Sequence, residues 1–294
     1  MSNTASAETG RQSERADQPR MAEVVEGLAG LLAGVERLGV AFSGGVDSSL
    51  LLALAVEVLG AERVVAVLGV SPSLAADERT AAHDVAAFIG APVVEVATHE
   101  GDNPAYRANG PDRCFHCKDE LFTRISDEVI AVQRLTAVAY GENADDARRP
   151  DRPGARAATE HAVLRPLADL GLTKGDVRRL ARVLELPCAD KPAAPCLASR
   201  IPHFTRVDPA KLAQVEAAEH ALRGLGFRDS RVRHHGEVAR VELAEGDLAR
   251  AVAPDLREGI VTAVRAAGFT FVALDLAGIQ SGAFTLPLVQ VARA

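Results

Sequence analysis

The chain has 294 residues, of which 48% are hydrophobic and 25% are charged, with a formal net charge of −7 and an isoelectric point of about 5.7. This composition is typical of a globular protein with one large domain or two smaller ones. No apolar run in the sequence reaches the roughly 20 residues that span a bilayer, and the acidic balance disfavours tRNA or DNA as the main partner. We therefore expect a cytoplasmic protein that binds neither nucleic acid nor a membrane.

The first 20 residues are polar and lack the apolar stretch of a signal peptide, which predicts a disordered tail. Apolar strands and helical patterns then alternate. The predicted elements are, in chain order, a helix (21–35), a strand (38–42), a helix (47–59), a strand (63–70), a helix (75–89), a strand (92–96), a helix (117–132), a strand (135–143), a charged loop (144–153) and a helix (173–184). Strands that alternate with helices predict βαβ units around a parallel sheet, and hence an α/β fold.

The pattern changes near residues 202–208. The elements predicted after that point are a helix capped by Asp208 (209–225), a hairpin turning near Gly236 (230–243), a helix (254–267) and a strand (269–276). We therefore expect a tail over residues 1–20, a parallel-sheet domain over 21–203, and a smaller α+β domain over 204–294 that binds substrate or mediates oligomerisation.

The stretch "AFSGGVDSS" connects the first predicted strand to the following helix. Two glycines at such a turn allow a phosphate to approach backbone N–H groups, and the helix start adds partial positive charge. The stretch lacks the lysine of a Walker A loop, and its aspartate suits a bridging Mg²⁺. It resembles the PP-loop of the N-type ATP pyrophosphatases, which have a Rossmann-like, adenine nucleotide alpha hydrolase-like domain. The candidate ATP-binding residues are Ser43, Gly44, Gly45, Asp47, Ser48, Ser49 and, after the strand "AVAYGE", Asn143.

Two carboxylates are candidate Mg²⁺ ligands, because nucleotide sites lie at the carboxyl ends of parallel strands. They are Asp47 and Asp145. Lys174, at the start of a predicted helix, either contacts phosphate or faces solvent.

The cysteines suggest several chemistries. Cys114 and Cys117 form a C-x-x-C pair, which is typical of half a zinc site, a redox pair or an iron–sulfur clamp. Together with Cys196 they would suit a cluster with one open iron. Cys196 lies near Lys191 and Arg200, cations that would lower its pKa and favour a nucleophilic thiolate. Cys188 is expected to fill core or loop space.

The chain resembles the LarE family, the ATP-dependent sacrificial sulfur transferases of nickel-pincer cofactor biosynthesis. The matching stretches include "AFSGGVDSS", "RCFHCKDELF", "DKPAAPCLASRIP", "RVRHHGEVARVEL" and "DLAGIQSGAF", spread over roughly residues 35–284. The resemblance implies that ATP adenylates a carboxylate of a pyridinium dicarboxylate mononucleotide and that Cys196 then attacks. Sulfur would come from that cysteine or from a 4Fe–4S cluster held by Cys114, Cys117 and Cys196. It also implies a homo-oligomer such as a hexamer.

A doubly acidic, phosphorylated substrate requires guanidinium groups, whose geometry matches carboxylates and phosphates. The candidate substrate-binding residues are Ser199, Arg200, Arg231 and Arg233, with Glu219 and Glu242 as further candidates for the substrate or a metal. The alternatives are a PP-loop tRNA thiolase, an ammonia-dependent synthetase similar to GMP or NAD synthetase, and a regulator that binds nucleotide without chemistry.

Overall fold

The computed structural model describes residues 19–149 and 153–280. The predicted tail lies outside the described residues up to position 18, and residues 19 and 20 belong to the first helix. Within the described ranges, no helix is both long and apolar enough to cross a membrane.

The strands are β1 (Leu38–Ala41), β2 (Val64–Val70), β3 (Val93–Ala97), β4 (Ala137–Tyr140), β5 (Ser230–His235), β6 (Val238–Leu243) and β7 (Phe271–Leu274). The helices are α1 (residues 19–31), α2 (Val46–Leu59), α3 (Ala76–Ile89), α4 (Pro104–Arg107), α5 (Arg113–Arg124), α6 (Ile130–Gln133), α7 (Ala144–Ala147), α8 (Pro153–Glu160), α9 (Pro166–Asp169), α10 (Lys174–Val183), α11 (Pro209–Gly224), α12 (Leu248–Ala251) and α13 (Pro254–Ala266).

Internal contacts divide the described chain into two compact units. The first comprises residues 19–70, 76–98, 118–149 and 153–193, and the second comprises residues 71–75, 99–117 and 194–280. These units do not follow the predicted division at residues 203/204, because two short segments from the first half of the chain pack with the C-terminal part. As a result, Cys114, Cys117 and Cys196 all belong to the second unit.

The first unit contains a four-stranded parallel sheet in the order β3-β2-β1-β4. Its two central strands, β1 and β2, are buried at nearly every position, as expected for a parallel sheet covered on both faces. The α/β prediction is confirmed. Because β1 and β4 are parallel neighbours, the residues that follow Ala41 and Tyr140 emerge at the same edge of the sheet.

Two local expectations need correction. The helix predicted over 117–132 begins earlier, at Arg113, and contains a π-helical turn at Ile125–Val129. Part of the loop predicted over 144–153 is helical instead, because the Asn143 side chain accepts hydrogen bonds from the amides of Asp145 and Asp146 and so caps α7. Residues 150–152 of that loop lie outside the described residues.

The second unit contains a three-stranded sheet in the order β5-β6-β7. β5 and β6 form the predicted hairpin, β7 joins β6 in parallel, and Asp208 caps α11 as predicted. The core of this unit includes side chains from α11 and the sheet and also Tyr106, which is 2% exposed. The Tyr106 hydroxyl lies 2.6 Å from the Ser73 hydroxyl, so residues 71–75 are fastened to this unit by a buried hydrogen bond.

Candidate functional site

The turn between β1 and α2 is shaped by glycine. Gly44 has a φ of +69°, and a Cβ on it would lie 2.8 Å from the Cα of Ala82, so neither the backbone conformation nor the space admits a larger residue. Gly45 occupies the N-cap of α2, and no described side chain caps this helix. The amides of the first turn of α2 are therefore available to an anion.

Two of the predicted serines hold the turn in place. The Ser48 hydroxyl donates to the Gly45 carbonyl at 3.0 Å, accepts from the Ser43 amide at 3.3 Å and lies 3.2 Å from the Ser43 hydroxyl. Ser49 differs, because it is fully buried and its hydroxyl has no hydrogen-bond partner among the described residues. Ser43 and Ser48 thus shape the loop.

Four predicted residues meet where β1 and β4 end. The amide of Asn143 donates to one oxygen of the Asp47 carboxylate at 3.0 Å, and the Lys174 ammonium donates to the other. The Lys174 backbone amide also donates to Asp145 at 2.8 Å. Gly141 makes this approach possible, because a Cβ there would lie 2.6 Å from the Ser48 nitrogen. Two carboxylates linked through one lysine beside the glycine turn fit the oxygen-donor chemistry of Mg²⁺.

Glu142, in the same loop, was not singled out from the sequence. Its side chain is 3% exposed, and its Oε2 atom has no hydrogen-bond partner among the described residues. The Arg165 guanidinium lies 3.7 Å from that oxygen. An unsatisfied buried acceptor costs about 1–3 kcal/mol, and more when it is charged. An acidic residue directly after the strand "AVAYG" was the available signal.

The second unit holds three of the four cysteines. Cys114 and Cys117 lie one turn apart on α5, and Cys196 caps the short helical turn Leu197–Arg200. Cys114 and Cys196 are exposed and Cys117 is partly exposed. Cys188 is 2% exposed in the first unit, in agreement with its predicted place in the core.

The predicted lowering of the Cys196 pKa is wrong in its net direction. Although the residue is exposed as a whole, the groups packed around its thiol desolvate the thiolate, which raises the pKa of Cys196. Arg113 and Arg200 oppose this increase, whereas Cys114 adds to it. Lys191, the other cation near Cys196 in sequence, donates from its ammonium to Glu78 at 2.6 Å in the first unit.

Burial also raises the pKa of Cys117 well above its ordinary value, and the buried carboxylate of Glu100 is the next cause. The surroundings of the Cys196 and Cys117 thiols therefore differ in part. Arg113 favours the thiolate of both, Arg200 favours that of Cys196, and the carboxylate of Glu100 disfavours that of Cys117.

Arg113 is a further candidate site residue, which was not singled out from the sequence. It is 8% exposed and donates to the carbonyl of Ala198 at 3.0 Å and to the Asn109 side chain, which links the start of α5 to the turn that carries Cys196. Burial alone would lower the pKa of Arg113, but Cys196 and Cys114 outweigh it, and the pKa is raised. The signal available was an arginine immediately before Cys114.

The residues as placed do not fit an iron–sulfur cluster. The three thiols influence one another electrostatically. Over the described ranges, however, no three His, Cys, Asp or Glu side chains come close enough to hold a metal ion.

Two buried ion pairs lie near the Cys196 turn. Arg200 donates to both oxygens of Glu219 at 2.8 and 3.1 Å, and Arg233 donates to both oxygens of Glu242 at 2.9 and 2.7 Å. Glu219 additionally accepts from the Val232 amide at 2.9 Å. The two glutamates therefore act as arginine counterions in this structure, and their predicted role toward the substrate or a metal stays a prediction.

The other predicted substrate residues belong to the same network. The Ser199 carbonyl accepts from Arg233 at 3.1 Å, and its hydroxyl accepts from Arg200 at 3.0 Å. Arg231 and Arg233 both donate to the carbonyl of Gln280, at 3.1 and 2.9 Å. Burial, followed by Arg200 and Arg233, lowers the pKa of Arg231, which indicates a positive environment. Arg200, Arg231 and Arg233 form an arginine group that also contains the carboxylates of Glu219 and Glu242. Because its three guanidiniums outnumber its two carboxylates, the group favours an anionic ligand.

Comparison with known proteins gives two kinds of match. Residues 28–127, a range that includes the glycine turn, match the family model described as asparagine synthase. An uncharacterized protein of Synechocystis sp. is 40% identical over 258 residues, 88% of this chain and 95% of the relative. The pyridinium-3,5-bisthiocarboxylic acid mononucleotide synthase of Lactiplantibacillus plantarum is 34% identical over 255 residues, 87% of this chain and 91% of that enzyme. An uncharacterized protein of Methanocaldococcus jannaschii is 30% identical over 168 residues, 57% of this chain and 64% of the relative.

Proposed function

The chain belongs to the LarE family, and from that premise we propose that it is an ATP-dependent sulfur transferase. It adenylates a carboxylate of a pyridinium dicarboxylate mononucleotide and converts this carboxylate to a thiocarboxylate. AMP and pyrophosphate are the other products. This assignment agrees with a PP-loop turn in the first unit and a thiol beside an arginine group in the second.

The proposal rests above all on the surroundings of Cys196. The turn that begins at Cys196 also supplies Ser199 and Arg200, and Arg200 donates to the Ser199 hydroxyl at 3.0 Å. Arg233 contacts the same turn through the Ser199 carbonyl at 3.1 Å. An acidic mononucleotide bound by these arginines would therefore have a thiol close to its own anionic groups.

Adenylation requires ATP held by its phosphates. The amides that follow Gly45 and the glycine turn bind the phosphates, while the substrate carboxylate attacks the α-phosphorus and pyrophosphate leaves. Asp47 and Asp145 would hold Mg²⁺, which supplies positive charge to the phosphates when bound. Lys174 adds a cation at the same place, since its ammonium already contacts Asp47.

Sulfur transfer begins at Cys196. Its thiol must lose a proton, and Arg113 and Arg200 stabilise the resulting thiolate against the cost of desolvation. The thiolate attacks the acyl carbon, AMP leaves and a thioester forms. Loss of the Cα proton and cleavage of the Cβ–S bond then give the thiocarboxylate and leave dehydroalanine at position 196.

The source of sulfur is tested with protein purified without oxygen. We expect incubation with ATP, Mg²⁺ and the dicarboxylate mononucleotide to lower the intact mass by that of H₂S, with the change mapped to the peptide containing Cys196. Cys196→Ala should abolish the mass loss but retain adenylation, measured as pyrophosphate release, whereas Cys114→Ala should retain both. Bound iron and sulfide with repeated turnover and no mass loss would instead establish the cluster route through Cys114, Cys117 and Cys196.

A further inference from the structure

Glu142 is a buried carboxylate to which the proposed reaction assigns no role. Its side chain is 3% exposed, and its Oε2 atom makes no hydrogen bond within the described part of the chain. Arg165 approaches to 3.7 Å, which neutralises charge but is too long for a hydrogen bond. Buried acceptors in native proteins almost always have a hydrogen-bond partner, so this oxygen is available to a donor from outside the chain, such as a ligand hydroxyl.

The position of Glu142 indicates which donor it would meet. Its neighbour Gly141 packs against the first turn of α2, where a Cβ would lie 2.6 Å from the Ser48 nitrogen. Its other neighbour, Asn143, donates to Asp47 on that turn at 3.0 Å. Glu142 is thus one residue away from both contacts with the phosphate-binding turn.

The ribose is the part of ATP closest to its phosphates, because it is bonded directly to the α-phosphate, while the adenine is one ring further away. A ribose offers two hydroxyl donors, and a carboxylate near a phosphate-binding turn is a suitable acceptor for them. Glu142 therefore matches the ribose by both position and chemistry.

The Arg165 guanidinium lies beside Glu142 without a hydrogen bond to it. Its side chain is 48% exposed, and it is shared between Glu142 at 3.7 Å and Asp169 at 3.6 Å. Neither separation is short enough for a hydrogen bond, so a ligand hydroxyl that donates to the Glu142 oxygen would compete only with a loose ion pair.

We propose that Glu142 determines the specificity for the ribose of ATP by accepting hydrogen bonds from its hydroxyls. This inference rests on the proposed function, since it assigns a residue of the same nucleotide site. A site built to accept from a hydroxyl discriminates against the analogue that lacks it, because the buried acceptor then stays unpaired.

The test compares nucleotide affinities of the full chain by isothermal titration in the presence of Mg²⁺. We expect the unmodified protein to bind ATP at least ~tenfold more tightly than 2′-deoxy-ATP or 3′-deoxy-ATP, a ratio equal to about 1.4 kcal/mol. Glu142→Ala should bind ATP and at least one deoxy analogue within about twofold of each other. Glu142→Gln, which keeps a carbonyl acceptor, should retain part of the preference for ATP over the deoxy analogues. It also keeps the inference testable if the alanine variant fails to fold.

Glu160→Ala is the matched control, because Glu160 is an exposed acidic residue of the same unit, and it should leave the ratio unchanged. The inference is overturned if folded Glu142→Ala and Glu142→Gln both keep the full preference for ATP. It is also overturned if Glu142→Ala loses discrimination against inosine triphosphate and keeps it against the deoxy analogues, because the adenine amino group would then be the donor. In both cases ATP binding by the unmodified protein leaves the proposed function standing, whereas absence of ATP binding removes both.

Discussion

Removing Glu242 should destabilise the second unit strongly. Its side chain is fully buried, and it accepts from Arg233 at 2.9 and 2.7 Å and from Arg240 at 3.1 Å. Glu242→Ala would leave the 3%-exposed side chain of Arg233 without its carboxylate. Breaking a buried ion pair by removing one partner costs about 3–5 kcal/mol.

For a chain of this size, Tm falls by about 2–4 °C for each kcal/mol of stability that is lost. The expected loss therefore corresponds to a fall in Tm of roughly 6–20 °C. Thermal unfolding followed by circular dichroism at pH 7.5 measures it. Glu160→Ala is again the control: its pair with Arg156 has a separation of 3.3 Å and is exposed, so its removal should cost less than about 1 kcal/mol.

A second measurement separates loss of packing from loss of charge balance. Without Glu242 the arginine group carries more positive charge, so inorganic phosphate should raise the Tm of Glu242→Ala more than that of the unmodified protein. A Tm within about 2 °C of the unmodified protein would refute the importance of the buried pair. An equal response of the two proteins to phosphate would refute the view that the arginine group is an anion site.

Two further predictions concern the turn and the thiol. Gly44→Ala should abolish ATP binding and lower Tm, because φ at Gly44 is +69° and the added Cβ would lie 2.8 Å from Ala82. Gly30→Ala is the control. Gly30 lies in α1, and a Cβ there would have no atom within 4 Å, so this variant should stabilise the protein by roughly 0.5–1 kcal/mol. In iron-free protein, alkylation of Cys196 by iodoacetamide, measured on its peptide, should still increase above pH 9, since burial raises the pKa of this thiol above its ordinary value. Arg113→Gln should shift that profile to higher pH, because Arg113 stabilises the thiolate. A profile that levels off below pH 8 would contradict the assigned direction.

Structural elements that depend on one continuous stretch of the chain could be predicted from the sequence. The strand–glycine–helix turn at Gly44 and Gly45 follows from local pattern, and the meeting of Asn143 with Asp47 follows because both come after neighbouring parallel strands. The ends of α2 and α11 were also predicted to within one residue.

The environments of individual side chains were less predictable, because distant segments create them. Arg113 is held by the carbonyl of Ala198, 85 positions away, and it influences Cys196 more than any cation adjacent to that cysteine in sequence. Lys191, which is adjacent, is paired with Glu78. The raised pKa of Cys196 depends on packing around its thiol, and no motif encodes that packing.

The hydrogen bond between Ser73 and Tyr106 has a consequence for modularity. Tyr106 belongs to the core of the second unit, yet it precedes most of that unit by nearly 90 positions, and Ser73 comes from an even earlier segment. A fragment that starts at residue 194 would lack both, together with Arg113, Cys114 and Cys117. The three thiols and the arginine group therefore cannot be expressed together as one C-terminal fragment. A gene fusion made at residue 194 would separate Cys196 from Cys114 and Cys117.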